Sequence, residues 1–153
     1  MFSKVTTLAL CGLEANEISV EVDIGNGLFA INIVGLAGKS IQESKERVFS
    51  AIKNSGYEMP MRRITINLSP ADLIKNTPSF DLPIAVALLQ ATKQIDIDLS
   101  KSIVWGELSL MGETMKTKGT LAIADFVKKC GYINLILPKI NASEARIVSG
   151  INV

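Results

Sequence analysis

In two stretches of the chain, residues 18–24 and residues 63–68, apolar and polar residues alternate. Successive side chains of a strand point to opposite faces of the sheet, so each stretch predicts a strand with one buried and one hydrated face. Shorter apolar runs predict four further strands, at residues 5–10, 29–34, 102–110 and 133–137.

The Gly25-Asn26-Gly27 segment lies between two of these predicted strands. Glycine and asparagine tolerate positive φ at little cost, so the segment predicts a tight turn. We therefore expect residues 18–24 and 29–34 to pair as a hairpin.

The first predicted helix has a recognisable start and end. Ser40 and Glu43 have the spacing of a capping box, in which each side chain satisfies a free amide of the first turn. Glu43 can also pair with Arg47 one turn later, and Gly56 suits the helix end. One face of this helix would carry the apolar residues Ile41, Val48 and Ile52.

Three more helices follow from the remaining patterns. The helix that begins near Asp81 is apolar on nearly every face over residues 84–89, which indicates a buried helix. Residues 120–129 predict another, with lysines at its negative end. Asn141 or Ser143 would cap a last short helix.

Size and composition predict one globular domain spanning residues 1–153. The chain is 48% hydrophobic and 20% charged, and its net charge of +1 favours neither nucleic acid nor a membrane surface. Its longest apolar run, residues 82–89, is far shorter than the roughly 20 residues that span a bilayer. We expect a cytoplasmic protein with no membrane partner. Residues 151–153 resemble the opening of a further strand, so we expect a piece of a longer polypeptide.

The absence of histidine limits the chemistry of this chain. It excludes Ser-His and Cys-His nucleophiles and removes the commonest transition-metal ligand, so we expect no metal or cofactor here. Cys11 and Cys130 lack a CxxC spacing, and we expect two reduced, partly buried thiols.

The Gly38-Lys39-Ser40 segment, between a strand and a helix, is similar to the end of a Walker A phosphate loop. That loop needs a glycine five positions before Gly38, where this chain has Ile33. No apolar strand here ends in the aspartate that would hold magnesium. We therefore predict that this chain does not bind ATP specifically.

Ser79 is the one candidate nucleophile. The Pro78-Ser79 pair before a helix resembles the active-site loop of Lon-type peptidases, whose catalytic serine is activated by a lysine. By this resemblance the lysine position is Leu121. Lys116 and Lys118 lie nearby in sequence, but we expect them to face solvent. We predict no catalytic residue, and that Ser79 or Asp81 caps the helix instead.

Five cations are candidates for contact with DNA phosphates: Arg62, Arg63, Lys75, Lys116 and Lys118. The balanced charge and the low aromatic content of 5% equally fit an ordinary solvated surface.

Ordered segments along nearly the whole chain resemble the amino-terminal domain of the YifB/ComM group, which are magnesium-chelatase-like AAA+ ATPases. These segments are residues 15–23, 29–36, 43–48, 54–56, 63–72, 79–85 and 106–112. The chain departs from the group at Ala37-Gly38-Lys39, where proline and an acidic residue are usual.

This resemblance implies an α+β fold, a mixed sheet with packed helices, as in ribosomal protein S5 domain 2 and the Lon proteolytic domain. It also implies an AAA+ module, absent from this chain, that binds ATP and magnesium. The group is linked to DNA processing, including branch migration. We therefore expect a non-catalytic accessory domain that helps to assemble a hexamer and contacts DNA. A residual Ser-Lys peptidase using Ser79 with Lys75, Lys116 or Lys118 is one alternative, and a pure protein-interaction module is another.

Overall fold

A computed structural model describes residues 1–153, and its main feature is a four-stranded mixed sheet. The strands are β1 (Phe2–Cys11), β2 (Glu14–Gly25), β3 (Ala30–Val34) and β4 (Arg63–Ser69). Their order in the sheet is β1-β2-β4-β3. The β1/β2 and β2/β4 pairs are antiparallel, and the β3/β4 pair is parallel.

The predicted hairpin between residues 18–24 and 29–34 is wrong. β2 pairs with β1 along one edge and with β4 along the other, so it has no free edge left for β3. Instead, Ile64 of β4 lies between Ile24 of β2 and Ile31 of β3. Parallel neighbours need a crossover connection, and here helix α1 (Lys39–Asn54) provides it.

The main core lies between this sheet and two helices, α1 and α2 (Asp81–Ala91). The alternating residues of β2 and β4 point into it as predicted, and so do Ile41, Val48 and Ile52 of α1. Ile84 and Leu88 of α2 are also buried there. Both alternating stretches and the buried helix near Asp81 are confirmed.

The predicted capping box at the start of α1 is wrong. Gly38 is the N-cap residue and has no side chain to cap the helix. Ser40 lies inside the first turn, and no side-chain cap bond is made from the N-cap position. The Ser40 amide donates instead to the side-chain oxygen of Asn76, at 3.0 Å. The cap therefore comes from a loop 36 residues away in sequence.

The second half of the chain is built from short elements. These are β5 (Ser102–Val104), β6 (Glu107–Leu108), β7 (Thr114–Met115), helix α3 (Thr120–Lys129), β8 (Asn134–Ile136) and the single-turn helix α4 (Ala142–Ala145). β5 and β8 are parallel, whereas β6 and β7 form a hairpin. The boundaries of α3 are those predicted, and Asn152 pairs with Asn134 in a single parallel bridge.

The predicted strand at residues 102–110 is interrupted. Trp105 still donates its amide to Ile136, but at Gly106 the backbone turns towards the segment that precedes α2. The Gly106 amide donates to the carbonyl of Ser79, and the Gly106 carbonyl accepts from the amide of Leu82. These bonds replace strand pairing at Gly106 and separate β5 from β6.

A second, smaller core joins these elements to β1. It contains Leu8, Ile103, Trp105, Ile123, Val127 and Leu135. The whole is an α+β fold with a mixed sheet and packed helices, as predicted. None of its helices has both the length and the apolar character needed to cross a membrane.

Candidate functional site

The candidate site is a cavity of about 310 Å³ beside Ser79. Ser79 sits in a single 3-10 turn (Pro78–Phe80) directly before α2, and its side chain is only 5% exposed. The other lining residues are Leu10, Thr77, Pro78, Trp105, Glu107, Lys116, Thr117 and Lys118. The structure thus places Lys116 and Lys118 around the same cavity as Ser79, although both are solvent-exposed as predicted.

Gly106 fixes one wall of the cavity. Its amide donates to the carbonyl of Ser79 at 3.0 Å, and its own carbonyl accepts from the amide of Leu82 at 2.9 Å. A Cβ atom at position 106 would lie 3.2 Å from the side chains of both Leu82 and Pro138. Any larger residue at position 106 would therefore make tight contacts with these two side chains.

Asn141 fixes the opposite wall, although it was predicted only as a helix cap. Its side chain is buried, accepts from the Thr117 amide at 3.1 Å, and donates to the Thr117 carbonyl and the Thr120 hydroxyl, both at 2.8 Å. Thr117 is thereby held between the two exposed lysines. Asn141 occupies the N-cap position of α4, as one alternative predicted, but its side chain makes no cap bond there.

The Ser79 hydroxyl has one hydrogen-bond partner in the protein, the hydroxyl of Thr77 at 3.2 Å. Thr77 also accepts from the Ser79 amide, at 3.4 Å, and so caps the 3-10 turn. Ser79 does not cap α2, and that prediction is wrong. No lysine or carboxylate hydrogen bonds to the Ser79 hydroxyl.

Asp81 does not cap α2 either. Its carboxylate is fully buried and receives Arg47 at 2.7 and 3.1 Å, together with the amide of Leu108 at 3.3 Å. The hydrogen bond that Arg47 donates to Asp81 raises the pKa of the Arg47 guanidinium. The predicted Glu43–Arg47 pair is present but longer, at 4.0 Å, because Arg47 is directed towards Asp81.

Lys75 was predicted as a candidate contact for DNA phosphates, and that prediction is wrong. It is 1% exposed, and its ammonium group donates to the carbonyl of Gly35 at 2.9 Å and to that of Pro70. Burial lowers the pKa of this lysine. With its donors directed at these two carbonyls, Lys75 is a structural residue and not a partner for Ser79.

Leu121, which occupies the lysine position of Lon-type peptidases, lies outside the Ser79 cavity. Its side chain is 45% exposed and lines a separate surface depression with Leu13, Asp125 and Glu144. A serine hydroxyl needs a nearby base to become a good nucleophile. The cavity is shaped to hold a ligand against polar donors, but it lacks an assembled serine-base pair.

Arg62 and Arg63 are exposed and lie apart from this cavity. Arg63 begins β4, whereas the loop that leads to Ser79 leaves the other end of that strand. Seven residues of strand span about 20 Å. The predicted DNA contacts therefore fall into two groups, the arginines and the two cavity lysines.

In the Gly38-Lys39-Ser40 segment, a side chain of the protein occupies the place that a bound phosphate would need. The Asn76 carboxamide takes up the Ser40 amide, and its oxygen would lie 2.6 Å from a Cβ atom at position 38. Lys39 is exposed, and Ile33 lies within β3. That the chain does not bind ATP stays a prediction.

The two cysteines differ from expectation. Both Cys11 and Cys130 are free and exposed, so the prediction of partly buried thiols is wrong.

Known proteins with similar sequences match this chain over most of its length. The family model for subunit ChlI of Mg-chelatase matches residues 20–141. The uncharacterized protein YifB of Salmonella typhimurium is 43% identical over 146 residues, which is 95% of this chain and 29% of YifB. The competence protein ComM of Haemophilus influenzae is 38% identical over 149 residues, again 29% of its length. The chain therefore spans less than a third of these relatives.

A more distant match supports the fold. Lon protease 1 of Bacillus subtilis is 24% identical over 147 residues, which is 92% of this chain and 19% of the protease. This agrees with the mixed sheet and packed helices described above.

Proposed function

The chain belongs to the YifB/ComM family of magnesium-chelatase-like proteins, and we propose that it is a non-catalytic accessory domain of a DNA-processing AAA+ ATPase. The observation that carries the non-catalytic part is the hydrogen bonding of Ser79. Its hydroxyl bonds only to Thr77, and Leu121 of the lysine position lies on another surface. In this proposal Ser79 has no base to activate its hydroxyl.

The parent activity is also a proposal, because the chain covers 29% of the length of its YifB and ComM relatives. In this proposal ATP and magnesium bind to an AAA+ module in the rest of a longer protein. The name of the Haemophilus influenzae relative refers to competence, which favours DNA as the substrate of the longer protein. The present domain would help to assemble a hexameric ring and would contact DNA from it.

The charge of the domain explains why assembly would matter for DNA binding. Each phosphate that a protein neutralises contributes about 0.9 to the salt slope of affinity, so a single copy that neutralises only a few phosphates binds weakly. Arg62 and Arg63 are exposed and form no ion pair, which leaves both free for phosphate. Six copies would repeat these contacts and gain from avidity.

This DNA proposal is tested by charge reversal. We expect the 153-residue chain to bind DNA weakly at physiological salt and the full-length hexamer to bind more tightly. Arg62→Glu with Arg63→Glu should weaken hexamer binding and reduce its salt dependence. Lys53→Glu with Lys139→Glu is the matched control. It changes the net charge by the same amount at two exposed lysines that are not among the proposed DNA contacts. A hexamer indifferent to the arginine reversals would contradict the proposal.

One observation favours a second candidate, a Ser-Lys peptidase: Lys116 and Lys118 line the same cavity as Ser79. A lysine that moved onto the Ser79 hydroxyl could accept its proton. A serine-reactive phosphonate probe separates the two proposals. We expect no labelling of the wild-type chain, whereas labelling that disappears in Ser79→Ala would establish the peptidase.

A further inference from the structure

The cavity beside Ser79 combines unpaired cations with hydroxyl donors on two rigid walls. We propose that it is a binding site for a phosphate group. This inference deepens the proposed DNA contact and rests on it for the source of the phosphate, but the cavity can be tested with phosphate alone.

The charges around the cavity favour an anion. Lys116 and Lys118 form no ion pair, although Glu107 lines the same cavity. The negative charge of Glu107 also acts on Arg47 and contributes to raising the pKa of that arginine. With two lysines and one glutamate in its lining, the cavity has an excess of positive charge.

The hydroxyl pair supplies a donor that the protein does not use. Thr77 and Ser79 have one hydroxyl proton each, and the bond between their oxygens uses one of the two protons. The remaining proton has no acceptor in the protein. Both residues line the cavity, so this proton is available to an oxygen bound there.

Trp105 adds a further donor of the same kind. Its side chain is 2% exposed and lines the cavity, and its indole N–H donates to no acceptor in the protein. An N–H donor without a protein acceptor remains free to bond to a ligand oxygen. A phosphate has several acceptor oxygens and no positive charge to conflict with the lysines.

The walls are fixed before any ligand arrives. Gly106 holds the serine turn through two backbone bonds, and Asn141 holds Thr117 between the lysines. Backbone that is already held by such bonds loses little freedom on binding. The volume of about 310 Å³ is at the lower end of the range for ligand pockets. It fits a phosphate with a small attached group.

The test is a titration of the 153-residue chain with inorganic phosphate at constant ionic strength, followed by backbone amide NMR. We expect saturable shifts at Thr77, Ser79 and Thr117. Lys116→Gln with Lys118→Gln should weaken binding about tenfold or more, because hydrogen bonds to charged groups are the stronger ones. Lys53→Gln with Lys139→Gln, the matched control, should bind as the wild type does.

Both cavity lysines are exposed and unpaired, so their replacement should leave the fold intact, and an unchanged amide spectrum away from the cavity verifies this. Equal phosphate affinity of the wild type and the Lys116→Gln, Lys118→Gln variant would overturn the proposal. Shifts that do not saturate, or that appear outside the cavity, would overturn it too.

Two oligonucleotide arms identify the source of the phosphate. A short single strand with a 5′-phosphate and the same strand without it are each added in competition with inorganic phosphate. Displacement by both strands indicates an internal backbone phosphate, and displacement by the first alone indicates a terminal one. Displacement by neither, with an acidic peptide displacing phosphate instead, overturns the nucleic-acid source. Arg62 and Arg63 lie outside the cavity, so their reversal tests the DNA proposal separately.

Discussion

Polar residues that lie within a few positions of one another, between Lys75 and Asp81, differ in whether their polar groups are bonded within the protein. Lys75 and Asp81 are buried, and their charged groups are bonded to protein atoms. Ser79, between them, leaves a hydroxyl proton of its pair unused and faces a cavity with Lys116 and Lys118. The difference shows that hydrogen-bond partners, and not residue type, separate structural polar groups from those available to a ligand.

The largest effect is expected at Asp81. Asp81→Ala removes the partner of Arg47 and leaves the Leu108 amide without its acceptor. Breaking a buried ion pair by removing one member costs about 3 kcal/mol or more, which should appear as a lower free energy of unfolding in denaturant titrations. Glu43→Ala is the control, because its contact with Arg47 is 4.0 Å long and exposed, and it should cost less than about 0.5 kcal/mol. Equal losses from the two substitutions would contradict this prediction.

A smaller effect, with a characteristic pH dependence, is expected at Lys75. Lys75→Met leaves the carbonyls of Gly35 and Pro70 without their donor, which should cost about 1–3 kcal/mol. Burial lowers the pKa of Lys75 from 10.5, so over the pH range between the lowered value and 10.5 the unfolded chain binds more protons than the folded one. In that range the stability of the wild type relative to the variant should increase as pH rises and decrease as pH falls.

Thermal unfolding of both proteins between neutral pH and pH 10.5 checks this sign. A wild-type advantage that shrinks as the pH rises would mean that Lys75 is stabilised as a cation.

Local elements were largely predictable from the sequence because their signals are local. The alternating residues of β2 and β4 predicted strands, and α3 has the predicted boundaries. The order of strands was not predictable from the turn at residues 25–27, because β2 and β3 both pair with the distant β4 and not with each other. The predictions that Ser40 and Asp81 cap helices were wrong for the same reason. Ser40 bonds to Asn76 and Asp81 bonds to Arg47, and both partners are distant in sequence.

The candidate site was predicted residue by residue but not as a unit. Ser79, Lys116 and Lys118 were each identified from the sequence, but there they came together only in the alternative Ser-Lys peptidase, which also included the buried Lys75. Gly106 and Asn141 bring them together through hydrogen bonds across more than 20 residues. No periodicity or motif marks such contacts, which explains why Asn141 was taken for a helix cap.

The smallest effect is expected at Ser79 itself. Ser79→Ala removes one hydrogen bond, to a Thr77 hydroxyl that still accepts from the amide of residue 79. The loss in the free energy of unfolding should therefore stay below about 1 kcal/mol. Thr77→Ala removes both bonds and the cap of the 3-10 turn, so it should cost more, by about 1 kcal/mol.

Denaturant titration of Ser79→Ala, Thr77→Ala and Asp81→Ala under the same conditions measures the free energy of unfolding of all three variants. If Ser79→Ala lost as much stability as Asp81→Ala, the Ser79 hydroxyl would be a structural group like the Asp81 carboxylate. A loss below that of Thr77→Ala keeps Ser79 among the groups available to a ligand. Its hydroxyl would then contribute more to the affinity for phosphate than to the stability of the fold.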